Sequence, residues 1–355
     1  MLSGHSLEIE IAGRRVGSGH PVYVVAEVSA NHHHHYSRTV ELLRAAKAAG
    51  ADAVKVQTYT PDTLTLRSEA RCFRVETNTP WTGRTLYDLY NEAYMPWDWQ
   101  PDLKRVAEGL GLAFFSSAFD SSAVDFLEEL HVPVHKVASF ELVDIPLIRK
   151  MASTGKPLIL STGMATLAEI EEAVQTARGA GASQIALLKC TSAYPAPPQE
   201  MHLRTIAHVQ QAFQLPVGLS DHTLGIAVPV AAVTLGACIV EKHLTLSRAA
   251  GGPDSSFSLE PQEFRAMVDA VRVAEQALGQ VRYGTSEQES ESRVFRRSLF
   301  IVQDMKAGEA FSDENLRSIR PGYGLHPRHF DDIVGCHARA DILRGTPLRW
   351  DLVDA

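Results

Sequence analysis

The chain has 355 residues, of which 45% are hydrophobic, 21% charged and 7% aromatic; this suggests two domains of globular, not disordered or collagenous, composition. Thirty-four Lys plus Arg against 42 Asp plus Glu give a formal net charge of −8, which argues against a nucleic-acid or anionic-membrane surface and requires a local site for any anionic ligand. No stretch is long and apolar enough for a bilayer span (Gly225 to Val240 contains Pro229), no leader pattern opens the chain, and the four cysteines form no CxxC pair, so the expectation is a cytoplasmic protein with free thiols and no membrane partner.

An extension with hairpin character around Ile9 to Val16 precedes eight apolar runs: Val22 to Ala26, Ala53 to Val56, Leu112 to Phe115, Val134 to Val137, Pro157 to Leu160, Ile185 to Leu188, Pro216 to Leu219 and Ala237 to Val240. Most lack apolar/polar alternation, as strands buried on both faces do in a parallel sheet covered by helices. Between them lie segments of helical period, such as Val40, Leu43 and Ala46, then Leu103, Val106 and Leu110, then Ile170, Val174 and Ala177. After the eighth run, Pro261 suits a first helical position and Phe264, Met267, Val268, Val271, Ala274 and Leu278 follow at i, i+3, i+4 spacing. Eight β/α units predict a (β/α)8 barrel over residues 1–280. A doubly wound open sheet is the alternative, but no G-x-G-x-x-G follows any strand to anchor a dinucleotide.

Residues 281–292 are polar, lack an apolar period and read as a linker. From 293 to 355, short apolar pieces (Ser298 to Val302, Leu316 to Ile319, Ala338 to Leu343) alternate with turn chemistry and predict a small β-rich domain. From Ser290 onward ten basic and ten acidic residues balance, so the whole net charge belongs to the barrel.

In such a barrel the chemistry sits where strands end. Those positions hold Glu27, Lys55 with Gln57, Ser116 with Ser117, Lys136 with Ser139 and Glu141, Ser161 with Thr162, Lys189 with Thr191 and Ser192, Asp221 with His222, and Glu241 with Lys242 and His243. Eight polar strand ends at one mouth point to a site. Lys55, Lys136 and Lys189 with Ser139 and Ser161 suit a phosphate or carboxylate; the alternative is that each lysine pairs with Glu27, Glu141 or Glu241. His222 and His243 end adjacent strands and could form an open divalent site with Asp221 or Glu241 orienting the rings, or be structural. Of the run His32 to His35, expected to be exposed and unstructured, only His32 is a site candidate. Gly251 to Ser256 reads as a mobile loop able to carry Asp254 over the mouth.

The segments Ala26-Glu-Val-Ser-Ala-Asn-His, Lys55-Val-Gln-Thr-Tyr-Thr-Pro-Asp-Thr, Lys136-Val-Ala-Ser-Phe-Glu, Ser161-Thr-Gly-Met, Lys189-Cys-Thr-Ser-Ala-Tyr-Pro, Gly218-Leu-Ser-Asp-His-Thr, Glu241-Lys-His and Arg320-Pro-Gly occur in one order. Together they resemble the sialic acid synthase family over nearly the whole chain. That family pairs a (β/α)8 barrel with a C-terminal antifreeze-like (SAF) domain. Ser29-Ala-Asn-His, Gln57-Thr-Tyr-Thr-Pro-Asp-Thr and Leu86-Tyr-Asp-Leu-Tyr-Asn-Glu-Ala-Tyr-Met-Pro-Trp look most like its pseudaminic acid branch, which condenses phosphoenolpyruvate with 2,4-diacetamido-2,4,6-trideoxy-altrose. Two stretches depart from the family pattern: His33-His-His-Tyr in the first loop and Ser116-Ser-Ala-Phe-Asp at the third strand end.

The resemblance implies that Lys55, Lys136, Ser139, Ser161 and Ser192 hold phosphoenolpyruvate, with Ser117 keeping a phosphate contact and Gln57 among the substrate residues. It implies Mn²⁺ or Mg²⁺ at His222 and His243, Glu27 and Asp254 facing the acceptor sugar, Glu141 near the reacting carbons and Tyr194 lining the pocket. Arg320 would reach from the SAF domain into the barrel of a second subunit, in a domain-swapped homodimer. The chemistry expected is metal polarisation of the open-chain aldehyde, attack by C3 of phosphoenolpyruvate, water addition at C2 assisted by Glu141 or Glu27, and loss of phosphate by C–O cleavage. A neuraminate or legionaminate synthase is the alternative within the class, and a noncatalytic carbohydrate-binding protein the alternative outside it.

Overall fold

The computed structural model describes residues 7–77, 79 and 81–354. β1 (Glu8–Ile11) and β2 (Arg14–Gly17) form an antiparallel hairpin with Ile9 opposite Val16. The two-residue period of the strands buries Ile9, Ile11 and Val16 together, in one apolar cluster with Tyr23, Val25 and Ile185 at the starts of barrel strands.

Eight parallel strands then close a barrel: β3 (Tyr23–Glu27), β4 (Ala53–Thr58), β5 (Ala113–Ala118), β6 (His135–Val137), β7 (Leu158–Ser161), β8 (Ile185–Cys190), β9 (Val217–Asp221) and β10 (Ile239–His243). Closure is made by β10 lying beside β3, from Ile239 opposite Tyr23 to His243 opposite Glu27. Every expected strand is present, and all but β6 end one to three residues later than their apolar runs. Glu27, Gln57, Ser117, Ser161 and His243 are therefore ladder residues, held by strand hydrogen bonds and not by loops.

The helices are α1 (Tyr36–Ala48), the short α2 (Pro61–Leu64) and α3 (Leu86–Ala93), then α4 (Gln100–Gly109), α5 (Ser121–Glu129), α6 (Ile145–Ala152), α7 (Leu167–Gly179), α8 (Thr205–Phe213), α9 (Ala227–Thr234) and α10 (Pro261–Leu278). Several start directly after the strand ends through side-chain caps: Asp120 accepts from the Ser122 and Ala123 amides, Asp144 from Leu147, and Thr166 forms a capping box with Glu169. These caps keep the βα turns short and fix where the strand-end side chains point. Helix α10 buries Phe264, Met267, Val268 and Val271 of its expected stripe, while Ala274 is half-buried and Leu278 exposed.

The chain divides into two units between Gly279 and Gln280. In the second, the stretch read as a featureless linker contains α11 (Glu287–Glu291), nucleated by a capping box between Ser286 and Glu289; local capping supplies order where there is no apolar face to bury. Beyond it, β11 (Ser298–Ile301) pairs with β12 (Leu316–Ile319), α12 (Phe330–Ile333) follows, and β13 (His337–Ala338) pairs with β14 (Val353–Asp354). Leu299, Ile301, Phe311, Leu316, Ile333 and Leu348 give this unit its own core. Among the described residues no helix is long and apolar enough to cross a membrane, and all four cysteines are free.

Candidate active site

A cavity of about 650 Å³ opens at the C-terminal ends of the barrel strands. Strand pleating decides which polar side chains reach it, because successive residues point to opposite faces. Lys55, Gln57, Ser117, Lys136, Ser139, Glu141, Ser161, Ser192, Tyr194, His222, His243 and Asp254 all line it. Ser116, Lys189, Asp221 and Lys242 do not, contrary to the expectation that every strand-end polar group shares one mouth. Lys189 instead donates to the Cys190 carbonyl at 2.7 Å and to Thr191 Oγ1 at 3.1 Å. Lys242 and Asp221 form a fully buried ion pair at 2.5 Å on the far side of their strands.

Lys55 faces Glu27 at 2.6 Å and Glu241 at 3.5 Å, and donates to Ser117 Oγ at 3.1 Å. Burial opposes its charge, but Glu241 and Glu27 outweigh it and hold its pKa above the usual lysine value. The ion-pair alternative thus describes Lys55. Glu27 is fully buried and accepts from Gln57 Nε2 at 3.2 Å; it is not itself among the cavity-lining residues but holds Lys55 and Gln57, which are. Burial, with Glu241 and Asp254 adding to it against the pull of Lys55, lifts the Glu27 pKa to about 7.

Lys136 differs: among the described residues it has no carboxylate within ion-pair distance. Its Nζ donates to Ser161 Oγ at 2.6 Å and the Val137 carbonyl at 2.9 Å, and burial holds its pKa below the usual value. A third hydroxyl group enters through Gly163, whose amide donates to Ser139 Oγ at 3.2 Å. A Cβ on Gly163 would lie 2.2 Å from Ser192 Oγ and 2.7 Å from Ser139 Oγ. Glycine is thus required here for space, letting Ser139, Ser192 and the backbone converge beside Lys136. Sequence reading quoted Gly163 only as part of a motif, and nothing in its spacing shows what it approaches.

Glu141 lies on the turn after β6. Burial, opposed by a backbone hydrogen bond and Lys136, raises its pKa to about 7, and its Oε2 has no hydrogen-bond partner among the described residues. Asp254 also lines the cavity, accepting from Ser29 Oγ and from the Ala30 amide at 3.3 Å. Its loop, expected to be mobile, is tied down: Trp81 Nε1 donates to the Pro253 carbonyl at 3.0 Å, His33 Nε2 to the Gly251 carbonyl at 2.9 Å, and Ser255 Oγ to Asn31 Oδ1 at 3.1 Å.

The His222 and His243 rings lie 5.3 Å apart, with the Tyr194 ring tilted 44° to that of His222 at 4.4 Å. His222 Nδ1 is 3.0 Å from the Thr191 carbonyl, which can only accept, so Nδ1 carries a proton. A backbone carbonyl thus orients this ring, not the carboxylates expected to do so. His243 Nδ1 and Glu241 Oε2 are buried without partners among the described residues, and burial holds the His243 pKa well below its ordinary value. Among the described residues no three His, Cys, Asp or Glu side chains are gathered as a ready metal cluster; two imidazoles with an unpartnered nitrogen and carboxylate oxygen nevertheless fit the donor chemistry of an open divalent site.

His32 is not among the residues that line the cavity. It is fully buried on the turn after β3, accepts from the His34 amide at 3.0 Å and meets Trp99 edge-on; burial lowers its pKa to about 4. His33 and His34 adopt positive φ of 51° and 53° and are half-buried, while His35 is exposed as expected. Arg320 is exposed in the second unit, just after β12.

The NeuB family model matches residues 42–283 and the SAF domain model residues 296–354. The pseudaminic acid synthase of Campylobacter jejuni is 42% identical, over 92% of this chain and 95% of that protein. That of Helicobacter pylori is 41% identical, over 94% and 98%. The crystal structure of the N-acetylneuraminic acid synthetase of Leptospira borgpetersenii superposes with a TM-score of 0.71 at 29% identity, covering 80% of this chain and 94% of that one. With the barrel, its mouth and the second unit all matched, the chain belongs to the NeuB family and carries a SAF domain at its C-terminal end.

Proposed function

We propose that the protein is a pseudaminic acid synthase, joining phosphoenolpyruvate, 2,4-diacetamido-2,4,6-trideoxy-altrose and water into pseudaminic acid and phosphate. The observation that carries this reading is the cradle of Lys136, Ser139, Ser161, Gly163 and Ser192 beside His222 and His243 in one cavity. The similarity to pseudaminic acid synthases supports the choice of acceptor.

Lys136 and the hydroxyls bind the phosphate and carboxylate of phosphoenolpyruvate, and the incoming anion restores the charge that burial disfavours on Lys136. Lys55 stays cationic between Glu27 and Glu241 and holds the other anionic edge. The electron pair of the C2–C3 π bond forms the new bond to the acceptor's carbonyl carbon, whose oxygen takes up a proton from solvent. Water then adds at the electron-deficient C2, its proton passing to Glu141, which later returns it to solvent. The C2–O bond to phosphate breaks, the bridging oxygen leaves with phosphate and takes the C2 hydroxyl proton, and a C2 carbonyl forms. Glu141 suits the base better than Glu27, because it lines the cavity with a free oxygen while Glu27 is engaged with Lys55 and Gln57. A pKa of about 7 allows it both to take and to return a proton near neutrality.

His222 and His243 would hold Mn²⁺ or Mg²⁺, which when bound supplies Lewis acidity toward a carbonyl oxygen. Tyr194 packs on His222 and Asp254 faces the acceptor. The same reading carries Arg320 into the acceptor site of a second copy, in a domain-swapped homodimer; Arg320→Ala is then expected to raise the acceptor KM more than that of phosphoenolpyruvate. Buried unpaired Cys190 and Cys238 suit a cytoplasmic setting.

A panel of 2-acetamido and 2,4-diacetamido sugars with phosphoenolpyruvate, read by phosphate release, tests the function. Preference for a neuraminate or legionaminate precursor would replace the assigned branch, and no release with any sugar would leave a noncatalytic sugar binder. In ¹⁸O-water the label is expected in the new acid; label in phosphate would exclude C–O cleavage.

A further inference from the structure

The longest connection at the barrel mouth runs from Tyr59 to Trp99, between β4 and α4, and includes α3. Along α3, Leu86, Leu89, Tyr90 and Ala93 fall at i, i+3, i+4 and i+7, one face of a helix. Such a stripe ordinarily packs into the core. Here all four residues line the cavity, and none belongs to the apolar clusters that hold the barrel together. The flanks fix this orientation. Thr85 Oγ1 caps the first turn by accepting from the Asp88 amide at 3.1 Å, and on another face of the helix Tyr87 packs beneath the Arg67 guanidinium at 4.3 Å. Leu64 and Val75 extend the same apolar wall.

The cavity is therefore graded: the base, on the strands, carries Lys55, Lys136, His222 and His243, and the face presented by α3 is apolar apart from the Tyr90 hydroxyl, while Arg74, Glu76, Thr77 and Thr79 line the cavity from elsewhere on the same connection. A ligand that fills both has a charged or strongly polar reacting end and an apolar far end. We propose that α3 is the acceptor-selecting wall, in which Leu86, Leu89 and Ala93 receive the C6 methyl group of a 6-deoxy acetamido sugar and disfavour an acceptor with a hydroxyl at that carbon. This rests on the acceptor class assigned above. The three side chains offer no hydrogen-bond partner, so a hydroxyl brought against them loses water without replacement. A wall of this kind discriminates by roughly 10- to 100-fold.

The test uses the full chain with phosphoenolpyruvate and either 2,4-diacetamido-2,4,6-trideoxy-altrose or its 6-hydroxy counterpart, following phosphate release. The native protein is expected to favour the 6-deoxy sugar in kcat/KM. Leu89→Asn is expected to shrink that preference about tenfold while the KM for phosphoenolpyruvate stays within about twofold. Leu86→Ser, at a half-buried position better able to accept a polar side chain, is expected to move the ratio the same way. An unchanged ratio in both variants overturns the wall. So does an unchanged ratio with an altered oligomeric state by light scattering, which would make the stripe a subunit contact. Native protein that turns over neither sugar overturns the functional assignment and this inference with it, whereas turnover of both without preference overturns the inference alone.

Discussion

Glu27, Lys55 and Glu241 on the inner face of the barrel, and Asp221 and Lys242 on the outer face, are two buried lysine–carboxylate groups on neighbouring strands. The outer one is closed. Lys242 donates to Asp221 and to the Thr223 carbonyl, and Asp221 accepts from the Thr223 amide and hydroxyl. The inner one is open: among the described residues Glu241 Oε2 has no hydrogen-bond partner, and Lys136 beside it has one hydroxyl and a carbonyl but no carboxylate within ion-pair distance. Buried charge is costly unless fully paired, so a group with its bonds complete serves the fold, and one with capacity left over awaits a ligand.

The sharpest way to break this contrast is to cut the closed pair. Lys242→Met leaves Asp221 buried and unpaired and is expected to cost about 3–5 kcal/mol of stability, measured by urea unfolding, with kcat of the remaining folded protein unaltered; a large loss of kcat at constant stability would place the outer pair in the chemistry. Lys136→Met should do the reverse, lowering kcat/KM for phosphoenolpyruvate by about 10²–10³ with little change in the unfolding midpoint. Gly163→Ala is a smaller perturbation of the same cradle. Its methyl group would displace the Ser139 and Ser192 hydroxyls, and a rise of about tenfold in the phosphoenolpyruvate KM is expected, the loss of one good hydrogen bond; titration by steady-state kinetics decides it.

The mildest effects come with pH. Glu141 must be ionised to accept a proton from water, so kcat/KM is expected to fall on the acid side of about 7, and Glu141→Gln should lower the rate and remove that limb. Stability moves the other way. A carboxyl whose pKa is raised by folding binds a proton that the unfolded chain has already released above 4.5, so its contribution is lost as pH rises from there through about 7. Glu141→Gln should flatten the stability profile over that window in thermal melts.

The barrel was legible because each strand is buried on both faces and announces itself as an apolar run, while helices announce themselves by period. The strand ends were not. Apolar runs stop where side chains become polar, yet the ladder continues, so Gln57, Ser117 and His243 looked like loop residues when they are strand residues. Parity was lost with them: Lys189 and Lys242 sit beside Cys190 and His243 in the chain and point the other way. The wall on α3 escaped notice because its stripe is short and indistinguishable by period from a core-facing helix.

Composition, periodicity and motif order thus determined the architecture, the order of its elements and the charged and hydroxyl groups at the base of the cavity, because these depend on local apolar content and on neighbours in the chain. Only the closed barrel decided that Glu27 is held by Lys55 and Gln57, that His32 is buried outside the cavity lining, that Gly163 makes room for two hydroxyls and that one lysine–carboxylate group is complete while the other is open. Those are statements about distances between residues far apart in sequence, and such distances are fixed by pleat, register and closure, which no single segment encodes.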